Sequence, residues 1–470
     1  MDSIKTLATP PAGPVFTPAP PNIGQFIANP YSPGVRTDRD ALYPLIKEWV
    51  DQDVVHHVLE DALKTSPGSE TEVMLAVGHY QACANPENPD AVLPAGAFPK
   101  SLREAFTTER PRMLPFLMAS ARAYIVLEEE VLGSSAPILA TKKQVWAACF
   151  GRNLREALEL KTLLRRHHVI LIGESGSGKE GLAEAIQRGT PDDLDGTPGD
   201  LDGEAALCQV NCAAIGGGPE FVQSALFGHT AGAFTGATGD RPGLLQAADG
   251  SSLFLDEVAE LGLDSQAMLL RVVEGKMVRP LGSDKEVKAD VRFVCATNED
   301  MASLVGSKKF RHDLWARLSG TVIRVPPLRE RRDDILQIAL HFARGLVDDS
   351  SVAMAHVIDT VREWVDSPEV RDHPWTGNVR ELRVAVERLI LGQEPLGPPY
   401  GVPLGIAGGS DEALPDAIRT GMAPMKTVRA WYLERVLAKF GGKRGASRKI
   451  ASMLGVAETT VARWRKDGSR

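Results

Sequence analysis

Short apolar runs recur through the middle of the chain and alternate with segments of helical spacing. The run Val169–Ile172 has the length and β-branched composition of a buried strand. Four further runs of this kind are predicted to be strands: Leu207–Val210, Ser252–Leu255, Val291–Ala296 and Thr321–Val325. Strands that alternate with helices form parallel sheets with helices on both faces, so this pattern predicts an α/β fold.

The flanking regions have helical rather than strand periodicity. Apolar residues between Leu42 and Leu63 recur near helical spacing, with Thr37 or Asp38 as the N-cap and Pro44 in the first turn. Further helical segments are predicted over residues 113–132, 139–166 and 333–391, the last with a break near Pro374. The N-terminal helices do not alternate with strands around an acidic pocket, so a phosphoacceptor receiver domain is not supported.

Changes in composition divide the chain into five predicted segments. The Pro-rich stretch at the N-terminus cannot form a core, and a Gly/Pro-rich stretch near residue 400 is typical of a linker. The segments are a disordered tail at 1–36, a helical N-terminal domain at 37–136, an α/β domain at 137–395 with a helical lid from about 328, a linker at 396–425 and a helical C-terminal domain at 426–470.

Charge and cysteine content narrow the class of protein. The net charge is −8, yet residues 441–470 carry eight basic residues against two acidic ones, which is typical of local nucleic-acid binding. The five cysteines have no partners at metal-binding spacing. No apolar run reaches the roughly 18–20 residues of a membrane span, and the N-terminus is not a signal peptide. We therefore expect a cytoplasmic protein with no membrane partner.

The strand Val169–Ile172 runs into a glycine-rich loop that ends in Lys179. Glycines let the loop turn its N–H groups inward, the following helix adds partial positive charge, and a lysine reaches β- and γ-phosphates. A surface glycine turn is the alternative, but the strand–loop–helix context favours a P-loop that binds ATP. The predicted nucleotide-binding residues are Gly173, Glu174, Ser175, Gly176, Ser177, Gly178, Lys179 and Glu180. Glu180 stands where Ser or Thr would normally contact Mg²⁺.

Two later strands end in polar residues suited to hydrolysis. Asp256 is the predicted Mg²⁺ ligand and Glu257 the base that activates water, because adjacent residues at a strand end point in different directions. Asn298 ends another strand, where it either orients the attacking water or simply forms a turn.

Three arginines are candidates for contact with the nucleotide. Arg311 and Arg317 lie in the segment FRHDLWARL, six residues apart on a predicted helix. Such arginines are usually solvated, but in a ring-shaped ATPase they can reach a neighbour's nucleotide and stabilise transition-state charge. Arg380 follows a Gly-Asn break at a predicted helix start and can sense the γ-phosphate from the lid.

Two segments are candidates for macromolecular contact. The segment Gly232–Ala237 (GAFTGA) places Phe234 and Thr235 at the tip of a flexible loop, where an exposed aromatic is costly without a partner. On composition alone, an ordinary hairpin turn is the favoured interpretation of this segment. The segment 445–466 has the spacing of a helix-turn-helix, although a basic helical hairpin is an alternative. Its predicted contacts with double-stranded DNA are Glu458, Thr459, Thr460, Arg463, Arg448 and Lys449.

Several motifs occur in a characteristic order. They are GESGSGKE, VNCAA, LFGH, GAFTGA, FLDE, ATN, FRHDLWARL, PPLRERRDDI and GNVREL. In this order the chain resembles the AAA+ domain of bacterial enhancer-binding proteins, which activate RNA polymerase carrying sigma-54. The resemblance covers roughly residues 134–393 plus the C-terminal helices, where the family has a Fis-like module. Glu180 at its position is usual in that family.

The resemblance implies a function and several residue roles. It implies an ATP- and Mg²⁺-dependent ATPase that assembles a homo-oligomer, a hexamer in the family, and remodels the sigma-54 closed promoter complex. Phe234 and Thr235 would contact sigma-54, and Asn211 would pair with the strand-end acid and couple nucleotide state to that loop. The N-terminal domain would be regulatory.

The chain departs from the family pattern in two places. It has Gln223-Ser-Ala225 before LFGH, where acidic residues are usual, and Thr230 where Glu is frequent. Two alternatives therefore stay open: an AAA+ remodeller or DNA-bound regulator with another target, and a DNA-binding repressor with an idle nucleotide site. The intact Lys179 and Glu257 argue against the second.

Overall fold

The structure of the protein is a computed structural model. It describes residues 19–20, 22–51, 55–65, 69–88, 92–93, 103–190, 208–213, 219–346 and 351–396. The chain divides into two compact units, Met1–Gly401 and Val402–Arg470, and all described residues belong to the first. The predicted helix-turn-helix, with its candidate DNA contacts, lies outside the described residues.

In the part of the chain that the structure describes, six helices precede the first strand of the central sheet. They are α1 (Val35–Asp51), α2 (Val55–Thr65), α3 (Ser69–Ala84), α4 (Arg103–Glu129), α5 (Ala136–Phe150) and α6 (Leu154–Arg166), preceded by a 3-10 turn at Ile23–Ile27. The helical N-terminal region is therefore confirmed, although helix bounds differ from the predicted ones. No helix in the described ranges has the length and apolar character needed to cross a bilayer.

Two details of these helices correct the sequence predictions. Pro44 lies in the interior of α1, not in its first turn. It is tolerated there because Pro44 and Asp40, whose carbonyl it leaves unpaired, both face solvent. The single helix expected over 139–166 is divided by Gly151, which has φ +59°, and Asn153 caps α6 by accepting from the Glu156 amide at 2.8 Å.

Strands and helices alternate through the middle of the chain, as predicted. The strands are β1 (Val169–Ile172), β2 (Cys208–Asn211), β3 (Gly228–His229), β4 (Arg241–Pro242), β5 (Ser252–Asp256), β6 (Met277–Val278), β7 (Val287–Lys288), β8 (Arg292–Thr297) and β9 (Thr321–Arg324). The intervening helices are α7 (Lys179–Arg188), α8 (Pro219–Phe227), α9 (Leu244–Ala247), α10 (Leu263–Gly275), α11 (Met301–Gly306) and α12 (His312–Leu318).

Among the described residues, five strands form one parallel sheet in the order β2-β5-β8-β1-β9. All five predicted strands are present, and each observed bound lies within one residue of the expected one. The pairs β3–β4 and β6–β7 are short antiparallel hairpins outside the sheet. Since all five strands run the same way, their carboxyl ends meet at one edge.

The region after β9 is helical. It contains α13 (Ile335–Leu346), α14 (Ser351–Val365), α15 (Pro368–Asp372) and α16 (Asn378–Ile390) around a small core of its own. The break near Pro374 is confirmed, and a second interruption at Asp366–Ser367 precedes α15. We call residues 328–396 the lid.

One hydrophobic core joins the N-terminal helices to the sheet. It extends from Ile23 through the helices to Val169 in β1 and Ile323 in β9. Helix α4 packs along α7. A Cβ atom added to Gly189, just after α7, would lie 3.1 Å from the Ala123 methyl in α4. One added to Gly181 in α7 would lie 3.5 Å from Val131, just after α4. The N-terminal helices are therefore in direct contact with the helix that follows the glycine-rich loop.

A buried arginine ties three elements together at the opposite edge of the sheet. Arg292 is 2% exposed and donates to the carbonyls of Ala148 at 2.7 Å and His167 at 3.1 Å, and to the Thr190 hydroxyl at 3.0 Å. It thereby satisfies acceptors at the ends of α5, α6 and α7, which would otherwise be unpaired.

We expect Arg292→Ala to lower the free energy of unfolding by about 3 kcal/mol, because it leaves buried acceptors unpaired beside a cavity. Arg279→Ala is the matched control, since Arg279 pairs with Glu286 at an exposed site and should contribute about 0.5 kcal/mol or less. Urea unfolding measures both, and equal midpoints would contradict the assigned role of Arg292.

Candidate nucleotide site

Three of the five predicted catalytic residues, Asp256, Glu257 and Asn298, lie at the carboxyl edge of the sheet. β5, β8 and β1 are neighbours, and they end at Asp256, at Thr297 and at the glycine-rich loop. The loop is fixed to the adjacent strand because the Gly173 amide donates to the Thr297 carbonyl at 3.1 Å. The sheet order alone therefore brings together Gly173, Asp256 and Thr297, which lie 41 to 124 positions apart in sequence.

The glycine loop (Gly173–Gly178) has the backbone that the sequence predicts. Gly176 and Gly178 have φ values of +73° and +102°, which residues with a Cβ rarely adopt. Gly178 is the N-cap of α7, so the first N–H groups of that helix face the loop. This arrangement can bind an anion through backbone amides.

Lys179 is the first residue of α7 and lies across its own loop. Its Nζ donates to the carbonyls of Gly173 at 2.7 Å and Glu174 at 3.2 Å, and the residue is only 7% exposed. Burial lowers the pKa of Lys179, and the nearby carboxylates of Glu257 and Asp256 oppose this shift. The ammonium group therefore faces both the loop and the strand-end acids.

The two acids have different surroundings. Asp256 Oδ2 accepts from Asn211 Nδ2 at 2.8 Å, and Asp256 Oδ1 accepts from the Glu257 amide at 3.1 Å. Glu257 has φ +49°, which turns its side chain away from the strand, and its Oε2 accepts from the Asn298 amide at 3.3 Å. Burial raises the pKa of Glu257, and Lys179 opposes this shift.

Asn211 and Asn298 thus lie where the sequence placed them, on either side of the acids. Asn211 is opposite Asp256 in the register of β2 and β5, so its contact with the acid follows from strand pairing. Asn298 contacts Glu257 through its backbone amide, not through the side chain on which its predicted role depends.

The lid touches the glycine loop directly. Arg380 Nη1 donates to Ser175 Oγ at 3.1 Å, and the Val379 amide donates to the Gly176 carbonyl at 2.9 Å. A Cβ at Gly176 would lie 2.4 Å from the Gly377 carbonyl, so this glycine also permits the close approach. Arg380 is therefore at the nucleotide loop, as predicted for a phosphate-sensing residue.

Two residues of this junction escaped the sequence analysis. Asn378 is buried with φ +53°, donates to Glu174 Oε2 at 3.1 Å and to the Ser175 carbonyl at 3.0 Å, and accepts from the Leu328 amide at 2.7 Å. Arg329 forms a two-point ion pair with Glu174 at 2.8 and 2.5 Å. That bonding lowers the pKa of Glu174. The pair Gly377-Asn378 in the sequence is a signal for the unusual backbone at this position, because Asn adopts left-handed backbone more readily than most residues.

The remaining loop residues have contrasting environments. The Ser177 side chain is buried, and its Oγ has no hydrogen-bond partner within the described part of the chain. Glu180 is exposed on the first turn of α7. The buried hydroxyl is a polar group available beside Lys179.

Arg311 and Arg317 bond to residues of their own neighbourhood. Arg311 makes a two-point contact with Asp313 at 3.0 and 2.7 Å, and Arg317 donates to Glu274 at 3.1 Å. Arg311 precedes α12 as its N-cap, so the two arginines do not share a helix as the sequence predicted. Their action on a neighbouring subunit stays a prediction.

The loop Gly232–Ala237 folds between β3 and β4. The Gly232 amide donates to the Ala237 carbonyl at 2.9 Å, and Thr235 is exposed. The Phe234 ring, expected to be exposed, is half-buried against His229 at 5.0 Å and Phe221 at 6.1 Å between ring centroids. Intramolecular aromatic packing thus covers part of the apolar surface that the sequence predicted to be free.

At its base the same loop rests on the β6–β7 hairpin. The backbone amide and hydroxyl of Thr230 both donate to the Leu281 carbonyl, at 3.0 and 3.2 Å. Where the family frequently has Glu, this chain therefore has a neutral hydrogen bond between two surface loops.

Comparisons with known proteins identify two domains. A model described as the sigma-54 interaction domain matches residues 151–324, and one described as the AAA+ ATPase lid domain matches residues 329–395. Among solved structures, NtrX from Brucella abortus in complex with ATP is 23% identical, with 78% of this chain and 76% of that chain covered and a TM-score of 0.43.

Two regulators of Pseudomonas aeruginosa are among the similar curated proteins. The response regulator protein PilR is 38% identical over 262 residues, which are 56% of this chain and 52% of PilR. The C4-dicarboxylate transport transcriptional regulatory protein DctD is 33% identical over 344 residues, which are 72% of this chain and 67% of DctD. The match thus spans about half the length of PilR and two thirds of DctD. With this similarity and both domain models in order over residues 151–395, the chain belongs to the family of transcriptional regulators that contain a sigma-54 interaction domain followed by an AAA+ lid.

Proposed function

We propose that the chain is an ATP-hydrolysing transcription activator that remodels the closed complex of sigma-54 RNA polymerase. The observation that carries the proposal is the meeting of Lys179, Asp256 and Glu257 at one sheet edge, in a chain with a sigma-54 interaction domain. Binding to upstream double-stranded DNA through residues 426–470 and assembly into a hexamer complete the proposal. They are supported by the sequence pattern and the family resemblance.

The residues at the edge fit a nucleotide with Mg²⁺. The N–H groups of the glycine loop and Lys179 suit phosphate oxygens, and the buried Ser177 hydroxyl lies among them. Asp256 would hold Mg²⁺, a hard cation that prefers oxygen ligands. When bound, Mg²⁺ neutralises phosphate charge. Arg380 would sense the γ-phosphate, and Arg311 and Arg317 would serve the site of the next subunit.

Glu257 would accept the proton of the attacking water. Its carboxylate is held by the Asn298 amide, while Asn211 restrains Asp256 beside it. Asp256 and Glu257 are thus each held by a hydrogen bond from a different residue. Asn211 ends β2, so it would link the acids to the segment that leads to α8 and then to the Phe234 loop. Hydrolysis would then move the loop, and Phe234 and Thr235 would act on sigma-54.

We expect Glu257→Gln to bind ATP but hydrolyse it at least about 100-fold more slowly, because removing a positioned base costs that much or more. Glu260→Gln is the matched control, since Glu260 is exposed three residues later and should leave turnover unchanged. Phosphate release and binding of a fluorescent ATP analogue measure the two steps. Normal turnover by Glu257→Gln would discredit the assignment.

We expect Phe234→Ala to abolish activation of a sigma-54 promoter while ATP hydrolysis stays within about twofold of the unmodified protein. Loss of the ring removes the aromatic contact but none of the groups at the sheet edge. Leu263→Ala, which truncates an exposed apolar side chain outside the loop, should preserve both activities. A transcription assay in vitro measures activation by each variant, and an ATPase assay measures its hydrolysis of ATP. Persisting activation would show that the loop is not the contact, and would favour a target other than sigma-54.

A further inference from the structure

The segment Leu132–Ser135, which we call the connector, lies between α4 and α5 and leads directly into α5. Asp334 at the start of the lid holds it: Oδ1 accepts from the amides of Ser134 and Ser135, both at 2.8 Å, and Oδ2 accepts from Ser135 Oγ at 2.6 Å. Asp334 is 1% exposed. A buried carboxylate with three donors from one segment is bonded strongly to it, because hydrogen bonds to a charged acceptor are the stronger kind.

The connector lies against this carboxylate closely enough to exclude a side chain between them. Gly133 has φ +121°, and a Cβ there would lie 2.6 Å from Asp334 Cγ and Oδ2. Any displacement of the connector toward the lid therefore displaces Asp334, since packed groups at van der Waals distance cannot interpenetrate.

Arg331, three residues earlier, extends the contact to the glycine loop. Its Nη2 donates to the Ser177 carbonyl at 2.7 Å and its Nη1 to the Leu132 carbonyl at 3.4 Å. Arg331 is 3% exposed, and its Nε has no partner among the described residues. A guanidinium group buried among carbonyls is costly to desolvate, and burial lowers the pKa of Arg331, while the nearby Asp334 carboxylate opposes this shift.

We infer that Arg331 and Asp334 are positioning residues that set the glycine loop according to the position of the connector. Through them the N-terminal helices would adjust the affinity of the loop for ATP, and bound ATP would in turn act on the N-terminal helices, since such coupling is reciprocal. The inference rests on the proposed ATPase function.

The first test compares neighbouring serines in the full chain. Ser135→Ala removes the hydroxyl that bonds Asp334, and we expect the KM for ATP to rise about fivefold with kcat within about twofold. Ser134→Ala is the control, because its hydroxyl has only an exposed contact with Gln337 at 3.4 Å. Ser135→Thr keeps the hydroxyl and should restore a near-normal KM.

The second test compares neighbouring aspartates. Asp334→Asn removes the negative charge that strengthens these hydrogen bonds and places an amide N–H₂ group, which cannot accept, against the Ser135 hydroxyl. We therefore expect a rise in KM of about tenfold or more. Asp333→Asn, at an exposed position, should have no effect. Adding Ser135→Ala to Asp334→Asn should raise KM no further, because both changes break the same contact. Additive effects would contradict a shared role.

Hydrogen exchange gives a readout that does not require hydrolysis. We expect Ser135→Ala and Asp334→Asn to speed exchange of the amides at Ser177 and Gly178 as well as in the connector, whereas the controls should not. Exchange confined to the connector, or KM values equal to those of the controls, would overturn the inference and leave the ATPase proposal intact. If the unmodified chain hydrolyses no ATP, the proposed function fails, and the exchange data alone decide whether the connector sets the loop. If Asp334→Asn does not fold, the serine pair decides.

Discussion

The parallel pairing of β5, β8 and β1 is the constraint on which the rest of the site depends. Parallel strands must end on the same side, so a glycine loop, two acids and an amide distant in sequence share one edge. Asn211 faces Asp256 because β2 and β5 are in that register, and a slip of one residue would reverse the side-chain direction at that position. The chemistry at the edge is therefore a product of strand register.

At that edge the charge of Lys179 is opposed by two carboxylates, while burial and the Arg380 guanidinium lower the pKa of Lys179. Burial disfavours the charged forms of both Lys179 and Glu257, while each favours the charge of the other. A phosphate that drew Lys179 away from its loop carbonyls would also change the field at Glu257. Substrate binding and the basicity of the proposed catalytic residue are thus linked through a single ammonium group.

Local signals predicted the strands, the glycine loop and the strand-end acids, because each depends on a few adjacent residues. Two of the errors concern features decided by tertiary context: Pro44 is accommodated on the solvent side of α1, and Phe234 packs against His229 and Phe221. The helix break at Gly151, in contrast, depends on local residues, a glycine with positive φ and the Asn153 cap. The lid contacts Arg329–Glu174 and Asp334–Ser135 join residues 155 and 199 positions apart, respectively. No periodicity in the sequence marks such pairs, and the motif PPLRERRDDI alone does not show what its charges bind.

The lid contacts change what the N-terminal helices can do. A domain on a free tether shares no packed core with the domain it acts on, whereas these helices share a core with the sheet and pack along α7. Arg331 and Asp334 add a second connection, which ends at the loop that precedes that helix. Because both connections reach the backbone of the glycine loop, a rearrangement of the N-terminal helices must alter the loop unless the core itself yields. Close-packed interiors resist such yielding, so we expect the position of these helices and the conformation of the glycine loop to be coupled.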